Sequence, residues 1–296
     1  MSDTAVEAVD ASGLQINRFG NLPALPEVTS RIMSALKDPD IRPGELSRLI
    51  TSDVALSARI LKVVNSVFYG LPRQISSIER AVVVLGRNAV RNITIAASMA
   101  KVFNATGRLS NTRFNMKTLW THSTATASAS RLLCQEIHHG DPNEYFLAGL
   151  THDIGIMAEL YWSHELLADC VDQTIVDSNG VPVKDLRTFE MAAFGADHEQ
   201  SGCTACEEWN FPKPIAVAAG SHHEPLTAEE EHRKLAAVVH IADRISASLP
   251  ESFRVDLPTL DVSDDVLDEL RLNRDSMERI RDFLIAEMAE VQQIFS

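Results

Sequence analysis

Cysteine is scarce: four in 296 residues, with Cys203 and Cys206 forming one isolated CxxC. A disulfide framework or a zinc ribbon needs more, and no strand pattern precedes the pair to make a redox motif, so buried thiols are expected. Glycine and proline are few, 13 and 12, below the usual share, which disfavours a loop-rich β protein. No apolar run reaches the roughly 18 residues of a membrane-spanning helix. Asp3, Glu7 and Asp10 stand where a secretory signal would be basic, so a cytoplasmic chain with no membrane partner is expected. Basic charge is short as well: 27 Lys and Arg face 41 Asp and Glu, a net of −14. An acidic body repels a polyanion, which makes nucleic acid an unfavourable partner.

Charge and histidine are both unevenly placed. Residues 1–105 carry 12 basic and 9 acidic side chains (+3), residues 106–250 carry 10 and 20 (−10), and residues 251–296 carry 5 and 12 (−7). All ten histidines fall between His122 and His240. With 45% hydrophobic and 23% charged residues the chain is an ordinary globular one, long enough for a substantial core.

The periodicity is helical throughout. After a frayed stretch at 1–15, Val28, Ile32, Met33 and Leu36 keep 3–4 spacing behind Pro26, until Asp38-Pro39-Asp40 stops the run. Asp53 is placed to cap a helix with the stripe Leu56, Ile60, Leu61 and Val64. Gly70-Leu71-Pro72 reads as a turn, and Ser76 with Glu79 as a capping box opening a helix that ends at Gly86. Further helices are expected near 114–138, 143–160, 162–177, 184–194, 197–209, 213–223, 229–248 and 263–293. The last carries Leu270, Met277, Leu284 and Val291 at seven-residue spacing, a stripe that suits packing onto the body or a homo-oligomer. The expected architecture is an all-α multi-helix bundle. It has an N-terminal helical subdomain at 16–105, a second at 106–250, and a C-terminal extension with a long helix at 251–296.

Chemistry concentrates in the second subdomain. The segment 147–158 is apolar on every side except at Thr151, His152 and Asp153. A buried carboxylate must be paired, protonated or bound to a cation. Asp243 shares a small apolar face with Ala236, Val239, His240 and Ala247, and His222 follows the inward stripe of Ile215 and Ala218. His122, His198 and His223 lie in helical segments of the same region. Imidazoles and carboxylates converging from bundle helices are ligands for Zn, Fe or Mn, and equally the makings of a metal-free hydrogen-bond network. His138, His139, His164 and His232 read as helix-end or surface residues, and His240 as a core residue or one that donates to a ligand. No GxSxG, GxxxxGK[ST] or GxGxxG occurs, which leaves serine hydrolases of that kind and the common nucleotide cradles unsupported.

Several motifs occur together in one order: LPALP at 22–26, DVALSARILKVVNSVFYG at 53–70, ISSIERAVVVLGRNAVRNI at 75–93, WTHS at 120–123, AGLTHDIG at 148–155, FGADHEQSG at 194–202 and EEWNFPKPIAVAAGSHHEP at 207–225. This set resembles the HDOD branch of the HD superfamily of metal-dependent phosphohydrolases, over roughly residues 16–250. The resemblance implies a bacterial signalling module, with signalling proteins as partners and in many members no remaining hydrolase function. By analogy with the related HD-GYP phosphodiesterases it implies metal ligands at His122, His152, Asp153, His198, His222, His223 and Asp243. The implied cofactor is a mono- or dinuclear divalent metal, Fe or Mn ahead of Zn, with Asp153 anchoring or bridging it as the catalytic carboxylate. Two positions depart from the pattern: Ile156 replaces the lysine of HDxxK, and Thr118 stands where many HD-GYP enzymes carry glutamate. The GYP signature is absent. Loss of that lysine removes a phosphate contact, so the leading expectation is a regulatory module acting by protein contact around a retained metal site. The alternative is an active phosphohydrolase on a nucleotide, cyclic dinucleotide or other phosphate ester.

Overall fold

A computed structural model describes residues 25, 27–38, 40–65, 73–106, 114–177, 181–250 and 252–295. The frayed stretch expected at 1–15 and the turn expected at 70–72 lie outside them. The described residues are helical, with no strand among them and one isolated bridge between Val176 and Pro182.

The N-terminal helices are α1 (Glu27–Ala35), α2 (Pro43–Thr51), α3 (Val54–Val64) and α4 (Ile78–Thr106). Asp53 caps α3 by accepting from the Leu56 N–H at 2.9 Å. At α4 the cap is Ser77 rather than Ser76: its Oγ accepts from the Arg80 N–H at 3.2 Å. The β-branched run Ala81–Leu85 is helical, and Gly86, at φ +83°, breaks the helix where its sequence places an end. The chain then resumes helix to Thr106.

The second set comprises α5 (Met116–Glu136), α6 (Pro142–Thr151), α7 (Ile154–Trp162), α8 (His164–Gln173), α9 (Leu186–Phe194), α10 (His198–Glu208), α11 (Lys213–Ala219) and α12 (Glu230–Ala247). Asn115, Asp141, Ser163, Asp185 and Asp197 cap five of them through their side chains. Helix α5 forms the axis. Its Ser123–Ser130 run is buried along its whole length, and Ser123, Thr126 and Ser128 satisfy their hydroxyls on carbonyls four residues back. Small residues there let α6 and α12 pack closely against it.

Three helix boundaries differ from the periodicity. The run expected at 143–160 is two helices, broken at His152-Asp153. The helix expected to reach 223 stops at Ala219, leaving His222 and His223 in the turn that follows. The C-terminal run divides into α13 (Asp264–Leu270) and α14 (Arg274–Phe295), separated at Arg271, whose φ is +54°. Helix α14 lies on α5, α12 and α3 of its own chain, with Leu284 fully buried. Ser276 and Arg279 of α14 both bond Glu136 at the end of α5.

Candidate metal centre

The helix break at His152-Asp153 lies beside a close interhelical contact. A Cβ on Gly155 would strike the His198 carbonyl oxygen, so glycine there lets the start of α7 meet the start of α10. That contact sets the His-Asp pair beside His198. The α11 turn delivers His222 and His223 from another side, α5 delivers His122, and α12 delivers Asp243. All seven residues singled out in the sequence thus converge, every side chain at most 3% exposed.

The cluster has two halves with Asp153 between them. On one side Asp153 Oδ2 lies 3.2 Å from His152 Nε2 and 3.6 Å from His122 Nε2, while Asp243 Oδ1 lies 3.1 Å from His122 Nε2 and 3.7 Å from His152 Nε2. On the other side Asp153 Oδ1 lies 3.5 Å from His222 Nε2 and 4.0 Å from His198 Nε2, and His198 Nε2 lies 2.9 Å from His223 Nε2. Donors each about 2.0–2.2 Å from a shared cation sit roughly 3–4 Å apart, the separation found here.

Tautomers follow from the outer partners. His152 Nδ1 faces the Gly149 carbonyl at 2.8 Å and His222 Nδ1 the Ala219 carbonyl at 3.0 Å; both carbonyls only accept, so both Nδ1 atoms donate. His198 Nδ1 lies 2.7 Å from Glu190 Oε2, which also accepts the His198 backbone N–H. The neutral form of each ring therefore turns an Nε2 lone pair into the cluster. His122 Nδ1 is held by Ser252 Oγ at 3.1 Å.

This interior is rich in acceptors and poor in donors. Both oxygens of Asp153, Asp243 Oδ1 and His222 Nε2 are buried without a hydrogen bond, whereas nearly all buried polar atoms have one. Burial penalises the His152 imidazolium, yet Asp153 and Asp243 outweigh it and raise its pKa to about 10. Burial also opposes ionisation of Asp153 and Asp243, but the surrounding imidazoles hold both carboxyls well below their ordinary value. The cage draws in positive charge. Nitrogen and carboxylate donors with unfilled lone pairs fit a divalent transition metal, in one position or two.

Three supporting residues, Glu190, Glu199 and Asp256, were not anticipated from the sequence, and a fourth, His240, was weighed as either a supporting or a core residue. Glu190, fully buried, orients His198, and its place on the apolar stripe Leu186, Glu190, Phe194 of α9 was a usable signal. Glu199 accepts the His223 backbone N–H at 2.9 Å and is itself held by Arg187 at 2.9 Å. Asp256, 1% exposed in the segment between α12 and α13, reaches His223 Nε2 at 3.5 Å. Burial, with Asp153 and Asp243 near, pushes its carboxyl well above the ordinary range. Its local sequence, RVDLP, gave no pattern to read. His240 braces the site: burial and Arg244 lower its pKa to about 3, and its neutral ring donates to the His222 carbonyl at 2.7 Å. The departures are also visible. Ile156 is fully buried in the core, and Thr118 bonds the Asn115 carbonyl away from the cluster.

Fold and cage together define an all-helical domain of the HD type, with five histidines and two aspartates gathered at the meeting point of six helices and their turns. The HDOD domain model matches residues 22–225, and the chain belongs to that family. Among solved structures it is similar to an HDOD domain protein of unknown function from Geobacter sulfurreducens, with a TM-score of 0.73 and 24% identity over 93% of this chain and 94% of that one. It is also similar to a Shewanella amazonensis SB2B protein provisionally named a phosphohydrolase, with a TM-score of 0.70 and 19% identity over 95% and 97% of the two chains. A Marinobacter aquaeolei VT8 protein provisionally named for signal transduction has a TM-score of 0.67 and 21% identity, over 93% of this chain and 59% of that one. These likenesses show the fold. By sequence, an uncharacterised protein of Treponema pallidum (strain Nichols) is 26% identical over 230 residues, covering 77% of this chain and 42% of the relative, so the chain spans less than half the length of that protein.

Proposed function

We propose that this protein is a signal-transduction module that acts by protein contact, built around a divalent metal centre held by His122, His152, Asp153, His198, His222, His223 and Asp243. One observation carries the reading: these donors form an acceptor-rich cage whose side chains are at most 3% exposed. Asp153 presents one oxygen to each half and would help to hold a metal in either. The Nδ1 partners Gly149, Ala219 and Glu190 keep His152, His222 and His198 in the tautomer that ligates. A bound divalent metal supplies Lewis acidity and lowers the pKa of coordinated water. The burial of the cage and the apolar Ile156 in place of lysine disfavour a phosphate ester reaching it. Protein contact is supported by the N-terminal helices, near neutral beside an acidic remainder, with Val54, Val83 and Val84 exposed on them.

The rival reading, a phosphohydrolase or phosphodiesterase on a nucleotide or cyclic dinucleotide, rests on Asp153 lying between two metal-sized donor sets. A turnover screen on phosphomonoesters, phosphodiesters and cyclic dinucleotides in Mn or Fe separates the two. The proposal expects bound metal and turnover no greater in the wild type than in Asp153→Ala. Turnover well above background that Asp153→Ala abolishes would establish the enzyme instead.

A further inference from the structure

Asp256 belongs to none of the seven ligand positions; its carboxyl faces His223 and interacts with the buried Arg244 guanidinium, but neither gives it a hydrogen bond. It is 1% exposed, and neither carboxylate oxygen makes a hydrogen bond. A buried carboxylate left in that condition is costly, and neutral hydrogen-bonding residues were available at no such cost. Its oxygen lies 3.5 Å from His223 Nε2, and one oxygen of Asp256, one of Asp153 and a nitrogen of His198 all lie within 4.8 Å of one another. Donors bonded to one cation at about 2.0–2.2 Å lie at most about 4.4 Å apart, so the three groups need only close in slightly to share an ion.

The segment that carries Asp256 leaves the end of α12 and crosses both halves of the cage. Ser252 bonds His122 Nδ1 at 3.1 Å, and Phe253 packs on the His122 ring at 6.2 Å and on Phe114 at 5.8 Å. Four residues after Ser252, the chain places Asp256 against the other half. Anchored over the His122 half, it puts a carboxyl oxygen into the other.

We propose that Asp256 is an additional metal ligand that closes the centre: its carboxylate completes the cation position formed with Asp153, His198 and His223, filling from within the chain the place an incoming phosphate oxygen needs. The proposal rests on the metal-centre reading above.

The test is a pair of titrations on the full chain stripped of metal: Mn²⁺ uptake by calorimetry with metal analysis, then inorganic phosphate binding to the Mn²⁺-saturated protein. Asp256→Asn, near-isosteric, and Asp256→Ala are compared with wild type, with thermal melts confirming that each is folded. Both variants are expected to bind Mn²⁺ at least about tenfold more weakly at the position they leave incomplete. At saturation Asp256→Ala is expected to bind phosphate where the wild type does not. An Mn²⁺ isotherm that neither substitution alters overturns the ligand assignment, and a saturated Asp256→Ala that still excludes phosphate overturns the closure. A wild type that takes up no Mn²⁺ overturns the metal-centre reading and this proposal with it, a result distinct from either.

Discussion

Glu190 shows how much of the centre is decided outside the ligand shell. Its Oε2 accepts both the backbone N–H and the Nδ1–H of His198, fixing the position and tautomer of the ring in one contact. Glu190→Gln should weaken metal binding about 10–100-fold while the helical circular dichroism stays at the wild-type value, which a metal titration beside a far-ultraviolet spectrum would check. Glu159 lies behind the same network, its Oε1 accepting from Ser201 Oγ at 3.0 Å. Burial and then Glu190 raise its pKa well above the ordinary 4.5. A carboxyl raised in the folded state favours folding below the unfolded value near 4.5, and that contribution is lost as pH rises through the folded pKa. Glu159→Gln should therefore gain stability relative to wild type between pH 5 and pH 8; denaturant midpoints at the two pH values should show the gap widen. The isolated CxxC is expected to react slowly by the same physics. Burial pushes both thiols up, Cys206 most, so neither should react readily with a thiol reagent in the native protein at pH 7.5.

At the scale of elements, helix type and order were legible in the sequence, because apolar spacing and caps such as Asp53 and Ser163 are local signals. The breaks that build the site were not. His152-Asp153 sits within a long apolar run, and the close packing of Gly155 on the His198 carbonyl, just past the break, is a contact that periodicity cannot see. The α11 run likewise looked helical through His223, but Glu199 and His240, distant in sequence, fix that turn through the His223 N–H and the His222 carbonyl. Periodicity sees contacts within one helix, and these are contacts between helices. Gly155→Ala is the corresponding prediction. The added methyl should separate α7 from α10 at a cost of about 1–3 kcal/mol in unfolding free energy, with metal affinity falling alongside because His198 moves. A control at Gly44, whose Cβ would meet nothing, should leave metal affinity unchanged.

For the whole molecule, the core runs as one cluster from Leu25 to Leu284, tying the N-terminal helices and α14 to the helices that carry the cage. Of the seven candidate ligands, His152, Asp153, His222 and Asp243 stood out as polar residues on apolar faces, while His122, His198 and His223 joined them through the family resemblance. Asp256 did neither, since it reaches the cage from an irregular segment. No helix among the described residues is long and apolar enough to cross a membrane. Metal binding at such a buried centre stabilises the folded chain by mass action, so the melting temperature should rise with free metal and fall after chelation. The most direct measurement is the metal content, by mass spectrometry, of protein purified without chelator, beside that of Asp153→Ala. The account predicts a stoichiometric divalent transition metal, one or two ions per chain, lost in the variant along with its contribution to the melting temperature. Wild-type protein carrying no metal above background, and melting at the same temperature with and without added Mn or Fe, would contradict it.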